Sequence, residues 1–120
     1  NNPVRIQINR TSYIQVKEGS KMSDRELGNV GSYVMVENDH VRVWQNDLEP
    51  GESSDWHLHT ANYLFVATKH GDLKVEFDDD SSQIIEMRVG QVVIGDKDSV
   101  HQLTNVGDAR YTSVIIELKD

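Results

Sequence analysis

The segment LEPGESSDWHLHTANYLF, residues 48–65, contains two histidines, His57 and His59, two positions apart. Side chains of a β-strand point alternately to its two faces, so both imidazoles would lie on one face of an extended segment. Two imidazoles on one face are a frequent start of a metal site, which needs further ligands. No Asp or Glu lies between His59 and Gly71, so this segment supplies no carboxylate ligand after the histidines.

Short apolar and polar runs alternate along most of the chain, bounded by Gly, Asp, Asn and Ser, which is typical of antiparallel strands joined by turns. Many short strands in a small chain predict an all-β sandwich or barrel. One helical turn is predicted near residues 23–27, where Ser23 is a candidate cap. The predicted strands lie near residues 6–8, 13–17, 33–37, 41–48, 56–68, 73–77, 83–89, 91–94, 100–104 and 111–117.

The composition limits the classes of function. A chain of 120 residues forms one domain with a single core. Twenty acidic and twelve basic residues give a net charge of −8, which argues against binding to nucleic acid or to an anionic membrane. No apolar run approaches the ~20 residues of a membrane-spanning helix. The lack of cysteine excludes disulfides and favours a cytoplasmic protein, with a signal peptide removed before Asn1 as the alternative.

A third histidine lies far downstream, in the segment GQVVIGDKDSVHQLTN at residues 90–105. His101 follows Gly90 in this segment and precedes Asn105 by four positions. A lone histidine in a β-protein is usually a core or surface group with an ordinary partner. Two histidines on one strand face, with a third downstream, favour a metal site instead.

These spacings resemble the two motifs of the cupin superfamily. The opening segment, 48–59, resembles the first motif: a glycine, five residues, then His-X-His. The segment 90–105 keeps the second motif's spacing from glycine to histidine to asparagine. The resemblance covers roughly residues 41–118. It implies an all-β cupin jelly-roll β-barrel of antiparallel strands that holds a divalent metal in its mouth.

The sequence departs from the family pattern at two places. Asp96 and Asp98 stand where the second motif has proline and glycine, a change expected to alter only the turn geometry. The glutamate of the first motif falls on Tyr63 by strand parity with the histidines, and on Leu64 by spacing back from Gly71. Neither residue is a carboxylate, so the usual sphere of three histidines and one glutamate cannot be built from the motif.

The resemblance assigns His57, His59 and His101 as the metal ligands. Three neutral imidazoles suit Fe(II), Zn(II), Ni(II) or Cu(II) and leave coordination positions open. Fe(II) is favoured because cupin dioxygenases that act on thiols and on a β-diketone use three histidines alone. The competing interpretation is a degenerate barrel whose histidines bond to one another, to water or to Tyr63.

Tyr63 is the candidate catalytic residue. Three roles are open to it: a phenolate ligand, a hydrogen-bond donor to a ligand of the metal, or a buried aromatic with its hydroxyl satisfied. The second role is favoured. Phe65 would share its face and wall the cavity, whereas Trp56 would pack on the opposite face.

The remaining polar candidates are interpreted as surface groups. His40 and His70 fall in predicted turns and are expected to be exposed, with no role. Gln102 has the opposite parity to His101 and should point away from it. Arg42 and Arg110 are predicted to be surface arginines.

Residues 1–32 are less regular than 33–120 and are predicted to form an N-terminal arm or edge strands on the cupin domain. Such an arm, together with the family, predicts a homodimer. The favoured function is a mononuclear metal-dependent oxygenase or lyase for a small organic acid or diketone-like metabolite. The segment at residues 38–65 also resembles small single-domain cupins found with amino-acid and organic-acid degradation. The alternative is a non-catalytic metal- or metabolite-binding module. Nothing specific supports a sugar isomerase or epimerase.

Overall fold

The computed structural model describes residues 25–119 together with the backbone of residues 12–14, and all of its regular structure is β-strand. These residues contain no helix of the length and apolarity needed to cross a membrane. The strands are β1 (Ser12–Ile14), β2 (Tyr33–Glu37), β3 (Val41–Leu48), β4 (His57–Leu58), β5 (Asn62–Ala67), β6 (Gly71–Phe77), β7 (Ser82–Met87), β8 (Val92–Gly95), β9 (Val100–Asn105) and β10 (Tyr111–Leu118).

The strands form two sheets. The larger sheet has the order β1-β8-β5-β10-β3-β2, and the smaller has the order β4-β9-β6-β7. Every pair is antiparallel except β1 with β8, which is parallel. The two sheets enclose one core without closing into a strict barrel. This arrangement confirms the predicted all-β jelly roll.

The core follows from strict alternation along the strands. In β5 and β10 every second side chain is buried, as expected for strands with one face on a core and one towards solvent. Both sheets contribute to a single apolar cluster, so the burial of apolar area drives them together. The cluster consists of Val30, Trp44, Leu48, Tyr63, Phe65, Ala67, Leu73, Val75, Phe77, Ile85, Met87, Val93, Leu103, Tyr111 and Ile115.

The predicted strand 56–68 was wrong, because it is two strands that belong to different sheets. The chain leaves the smaller sheet after β4, bends at residues 60–61 and enters the larger sheet as β5. His57 pairs with β9, whereas Tyr63 pairs with both β8 and β10. Inward and outward positions keep the same alternation across the bend, so the sequence pattern does not reveal the break.

The predicted arm lies partly within the described residues. The strand near 6–8 and the cap Ser23 lie outside them, and residues 25–27 form no helical turn. β1 overlaps the predicted strand 13–17 at residues 13–14, begins one residue before it, and covers the edge of β8.

Residues 28–32 pack directly on the domain. Val30 is buried, the amide of Gly28 donates to the carbonyl of Trp56, and that of Ser32 donates to the carbonyl of Gln45. A domain boundary at residue 32 stays a prediction.

The turn at Asp96 and Asp98 holds one of the histidines in place. The amide of Asp98 donates to the carbonyl of His59 at 2.7 Å, and the amide of His59 donates to the carbonyl of Ser99 at 3.0 Å. Asp98 has a φ of 70°, in the left-handed region that glycine adopts without strain. The aspartate therefore keeps the backbone conformation that a glycine would adopt here.

Replacing Asp98 by valine should lower the free energy of unfolding by about 1–2 kcal/mol, because a β-branched residue is strained at positive φ. Asp98→Gly relieves the strain and should leave stability unchanged or raise it by up to ~1 kcal/mol. Urea unfolding of the two variants measures the difference. If Asp98→Val were as stable as Asp98→Gly, the left-handed conformation would not exist in solution.

Candidate metal centre

The structure brings His57, His59 and His101 together between the two sheets. His57 on β4 is directly opposite His101 on β9, and His59 follows β4 by one residue. Ring centroids are 4.6 Å apart for His57 and His101, and 5.0 Å apart for His59 and His101. One nitrogen from each ring lies within 4.8 Å of the other two. All three residues are 1% exposed or less.

The hydrogen bonds around these rings leave nitrogens available for a metal. Nδ1 of His57 lies 2.8 Å from the carbonyl oxygen of Asp55, a contact that places the proton on Nδ1 and leaves Nε2 as an electron-pair donor. Neither nitrogen of His101 has a hydrogen-bond partner among the described residues. Buried polar atoms without partners are costly, and a metal ion would satisfy one of them. The donor set therefore fits a divalent transition metal.

Burial keeps the three imidazoles neutral. It lowers the pKa of His57 to about 4, although the Asp55 carbonyl and the Glu117 carboxylate act in the opposite direction. Burial, with the neighbouring His57, holds the pKa of His59 well below 6.5. The pKa of His101 is lowered by burial and by the other two histidines. Neutral imidazole is the form that binds a metal.

Tyr63 faces the histidines, as strand parity predicts, while Leu64 is only half-buried on the other face of β5. Its ring stacks on His59, with centroids 3.5 Å apart and planes 11° from parallel. The hydroxyl makes no hydrogen bond within the described residues. Burial raises the pKa of Tyr63 above its ordinary value. These features favour a protonated phenol that can donate to a ligand in the site.

Gly95 makes room for the ring of Tyr63. The two residues are paired across β5 and β8, and a Cβ on Gly95 would overlap the hydroxyl end of the tyrosine ring. Gly107 has more space, since a Cβ there would come no closer than 3.3 Å to the Oδ1 of Asn105.

Gly95→Ala should lower the free energy of unfolding by about 1–3 kcal/mol, because the methyl group overpacks this contact. The loss should nearly vanish when Tyr63 is changed to leucine, which is shorter than the ring. Gly107→Ala is the control and should add independently to Tyr63→Leu. Additive effects for the Gly95 and Tyr63 pair, measured by chemical denaturation, would contradict the packing described here.

A buried carboxylate near the site was missed by the sequence reasoning. Glu117 on β10 is 2% exposed, and its Oε2 lies 3.8 Å from Nδ1 of His59. Its Oε1 accepts a 2.7 Å hydrogen bond from Nε1 of Trp44 and lies 3.6 Å from a guanidinium nitrogen of Arg42. The alternation along β10 could have predicted that Glu117 is buried, because Glu117 shares its parity with Tyr111 and the other inward residues.

The polar candidates assigned to the surface are only partly found there: Arg110 is exposed, whereas Arg42 and Gln102 are half-buried. His40 and His70 are exposed. Gln102 turns away from the histidines and donates to the carbonyl of Ser54, and Arg110 pairs with Asp47. Arg42 has its side chain 34% exposed, but it also reaches inward to Glu117.

Trp56 lies on the opposite side from the histidines, as predicted. It is half-buried, and the guanidinium carbon of Arg25 lies 3.8 Å from its ring centroid.

Comparison with known families identifies the chain. The sequence profile of the cupin domain matches residues 45–115, so the chain belongs to the cupin superfamily. With its three-histidine cluster it is a cupin equipped to hold a divalent metal. No curated protein matches the sequence.

Solved structures share the fold at low identity. A cupin domain from Bordetella pertussis Tohama I is 24% identical, with 82% of this chain and 100% of that chain covered and a TM-score of 0.69. A cupin superfamily protein from Desulfitobacterium hafniense is 21% identical, with coverages of 82% and 84% and a TM-score of 0.59. Oxalate oxidase in complex with the substrate analogue glycolate is 21% identical, with a TM-score of 0.53; the match spans 63% of this chain and 40% of that chain.

Proposed function

We propose that this cupin binds one divalent metal, Fe(II) by preference, through His57, His59 and His101, and acts as an oxygenase or lyase on a small organic acid or diketone-like metabolite. The observation that carries the proposal is the convergence of three neutral, buried imidazoles whose nitrogens are only partly satisfied by the protein. Zn(II), Ni(II) and Cu(II) suit the same donors and would favour the lyase version.

The bound metal would supply Lewis acidity and, if it is iron, one-electron chemistry with O₂. The three histidines would hold the ion and leave coordination positions for a chelating anionic substrate. The walls exclude water, since the histidines and Tyr63 are 1% exposed or less. A dry site strengthens the electrostatic contacts made to a bound anion.

Tyr63 would orient the substrate or exchange a proton with it. Its ring is fixed by the stack on His59 and by the contact with Gly95, so the position of its hydroxyl is set before substrate arrives. The raised pKa keeps the proton on the phenol oxygen, where it can be donated in a hydrogen bond. In the lyase version, the phenol would pass this proton to the substrate atom that gains negative charge when the bond breaks, and it would regain a proton from water after product release.

The choice of a small organic acid rests on the chemistry of the donor set. A metal held by three neutral ligands keeps its full positive charge and therefore favours an anionic chelator. Oxalate oxidase, which has this fold, was solved with glycolate, a small hydroxy acid.

Burial of the cluster also favours a second candidate, a non-catalytic module in which the metal is structural or is itself the sensed ligand. Structural sites are closed and catalytic sites keep an open position. The two candidates therefore differ in whether the metal-loaded protein consumes a substrate.

The test is turnover by protein reconstituted separately with Fe(II), Zn(II) and Ni(II). A panel of hydroxy acids, keto acids and β-diketones is assayed for O₂ uptake and, without O₂, for product formation. We expect one substrate class to react with one metal and Tyr63→Phe to lower kcat by about 10- to 100-fold. His70→Ala, at an exposed turn, should react like the wild type. Metal binding without any turnover across the panel would favour the non-catalytic module.

A further inference from the structure

The centre has a carboxylate beside it, although the motif provides none. Glu117 comes from β10, the last strand, where its Cα is paired with Tyr63 on one side and with Arg42 on the other. These three positions form a row across β5, β10 and β3, and Tyr63 and Glu117 point into the core. The row brings a carboxylate to the same end of the fold as the three histidines.

The two oxygens of Glu117 face different partners. Oε1 is held by the indole nitrogen of Trp44 at 2.7 Å and lies 3.6 Å from a guanidinium nitrogen of Arg42. Oε2 faces the other way and lies 3.8 Å from Nδ1 of His59. Burying a carboxylate costs little free energy only when it is paired and hydrogen-bonded. In Glu117, Oε1 makes these contacts.

The ring of His59 is constrained by its surroundings. One face stacks on Tyr63 with ring centroids 3.5 Å apart, and Nδ1 lies 3.8 Å from Oε2 of Glu117. In His57 the Nδ1 atom already has an oxygen partner, the carbonyl of Asp55. Nδ1 of His59 has no hydrogen bond within the described residues, and Oε2 is about 0.6–1 Å beyond normal bonding distance.

We propose that Glu117 is a positioning residue of the metal centre that accepts the Nδ1 proton of His59. This contact would fix the tautomer of His59 with Nε2 free to bind metal. It would also place one negative charge beside the site, in the role that a ligand carboxylate has elsewhere, without occupying a coordination position. The inference rests on the proposed metal site and deepens it, because the coordination position left open would be available to substrate.

The test is the affinity of metal-stripped protein for Zn(II), measured by competition with a chelating dye. Glu117→Gln keeps an oxygen for Trp44 but removes the charge, and it should weaken Zn(II) binding 10- to 100-fold. Glu37→Gln is the matched control: Glu37 lies 3.0 Å from Arg42 in the same charge network, but it is exposed. The control should bind within about threefold of wild type.

The electronic spectrum of the Co(II) form gives a second measurement that a purely structural role would not affect. In Glu117→Gln the ligand-field bands should shift while the coordination number is retained. If this variant does not fold, Trp44→Phe replaces it, since it frees Oε1 and should weaken Zn(II) binding severalfold. Folding is checked by circular dichroism in each case.

The outcomes separate the two proposals. If the wild type binds neither Zn(II) nor Co(II), the proposed function fails. If the wild type binds and Glu117→Gln, or Trp44→Phe in its place, has wild-type affinity and spectrum, only the role of Glu117 is overturned. A loss beyond 1,000-fold with a change in coordination number would also overturn it, because Glu117 would then be a ligand.

Discussion

The metal-free protein is expected to lose about 2 kcal/mol of its free energy of unfolding between pH 7 and pH 5 through His57 alone. In the unfolded chain this imidazole takes up a proton near pH 6.5, whereas burial lowers its pKa to about 4 in the folded protein. The stabilisation is therefore complete above pH 6.5 and is lost as the pH falls towards 4. His59 and His101 act in the same direction, since burial lowers both of their pKa values.

Urea unfolding of metal-stripped protein at several pH values between 5 and 7.5 measures this loss. His57→Gln should show a shallower fall in stability than the wild type. His70→Gln, at an exposed turn, should follow the wild-type curve. Carboxylates also titrate at the lower end of this range. The effect of His57 is therefore the difference in slope between wild type and His57→Gln. Equal slopes for wild type and His57→Gln would contradict a buried, neutral cluster.

Asn105→Asp should lower the free energy of unfolding by about 3–5 kcal/mol. Asn105 is fully buried, and the Nδ2 of its side-chain amide donates to two carbonyl oxygens, those of Leu48 and Ala109, both at 2.9 Å. Its Oδ1 accepts from the amide of Gly107. A carboxylate has no proton to donate, so its negative charge would lie against two carbonyl oxygens.

Asn62→Asp is the matched control for this substitution. Asn62 is exposed, and its side-chain oxygen accepts from the amide of Lys97, a role that a carboxylate fulfils equally well. We expect that change to stay within about 0.5 kcal/mol of wild type. Thermal and chemical unfolding measure both variants. If Asn105→Asp were as mild as the control, the side chain would not be the buried hydrogen-bond hub described here.

The sequence predicts the architecture well because the signals involved are local. Alternation of apolar and polar residues gives most strands within a few positions, and glycine and aspartate mark the turns. The spacing of His57, His59 and His101 also predicted a cluster between distant parts of the chain. These residues meet because β4 and β9 are neighbours, which brings His57 directly opposite His101.

Two features depend on tertiary structure and were not predicted. The break between β4 and β5 preserves the alternation of inward and outward positions. Strand parity therefore predicted correctly that Tyr63 points inward, although the single strand 56–68 on which the prediction rested does not exist. Glu117 lies near the end of the chain, and its distance from His59 depends on which strands β10 joins. Parity marks it as inward, but only the pairing of β10 with β5 brings it beside Tyr63.

The metal content of the protein tests the central claim most directly. Protein is purified anaerobically without an affinity tag and analysed by elemental mass spectrometry, beside His101→Ala and the control His70→Ala. The account predicts near-stoichiometric transition metal, with iron favoured, in the wild type and in His70→Ala, and less than a tenth of it in His101→Ala. Empty wild-type protein that also takes up neither added Fe(II) nor added Zn(II) would contradict it.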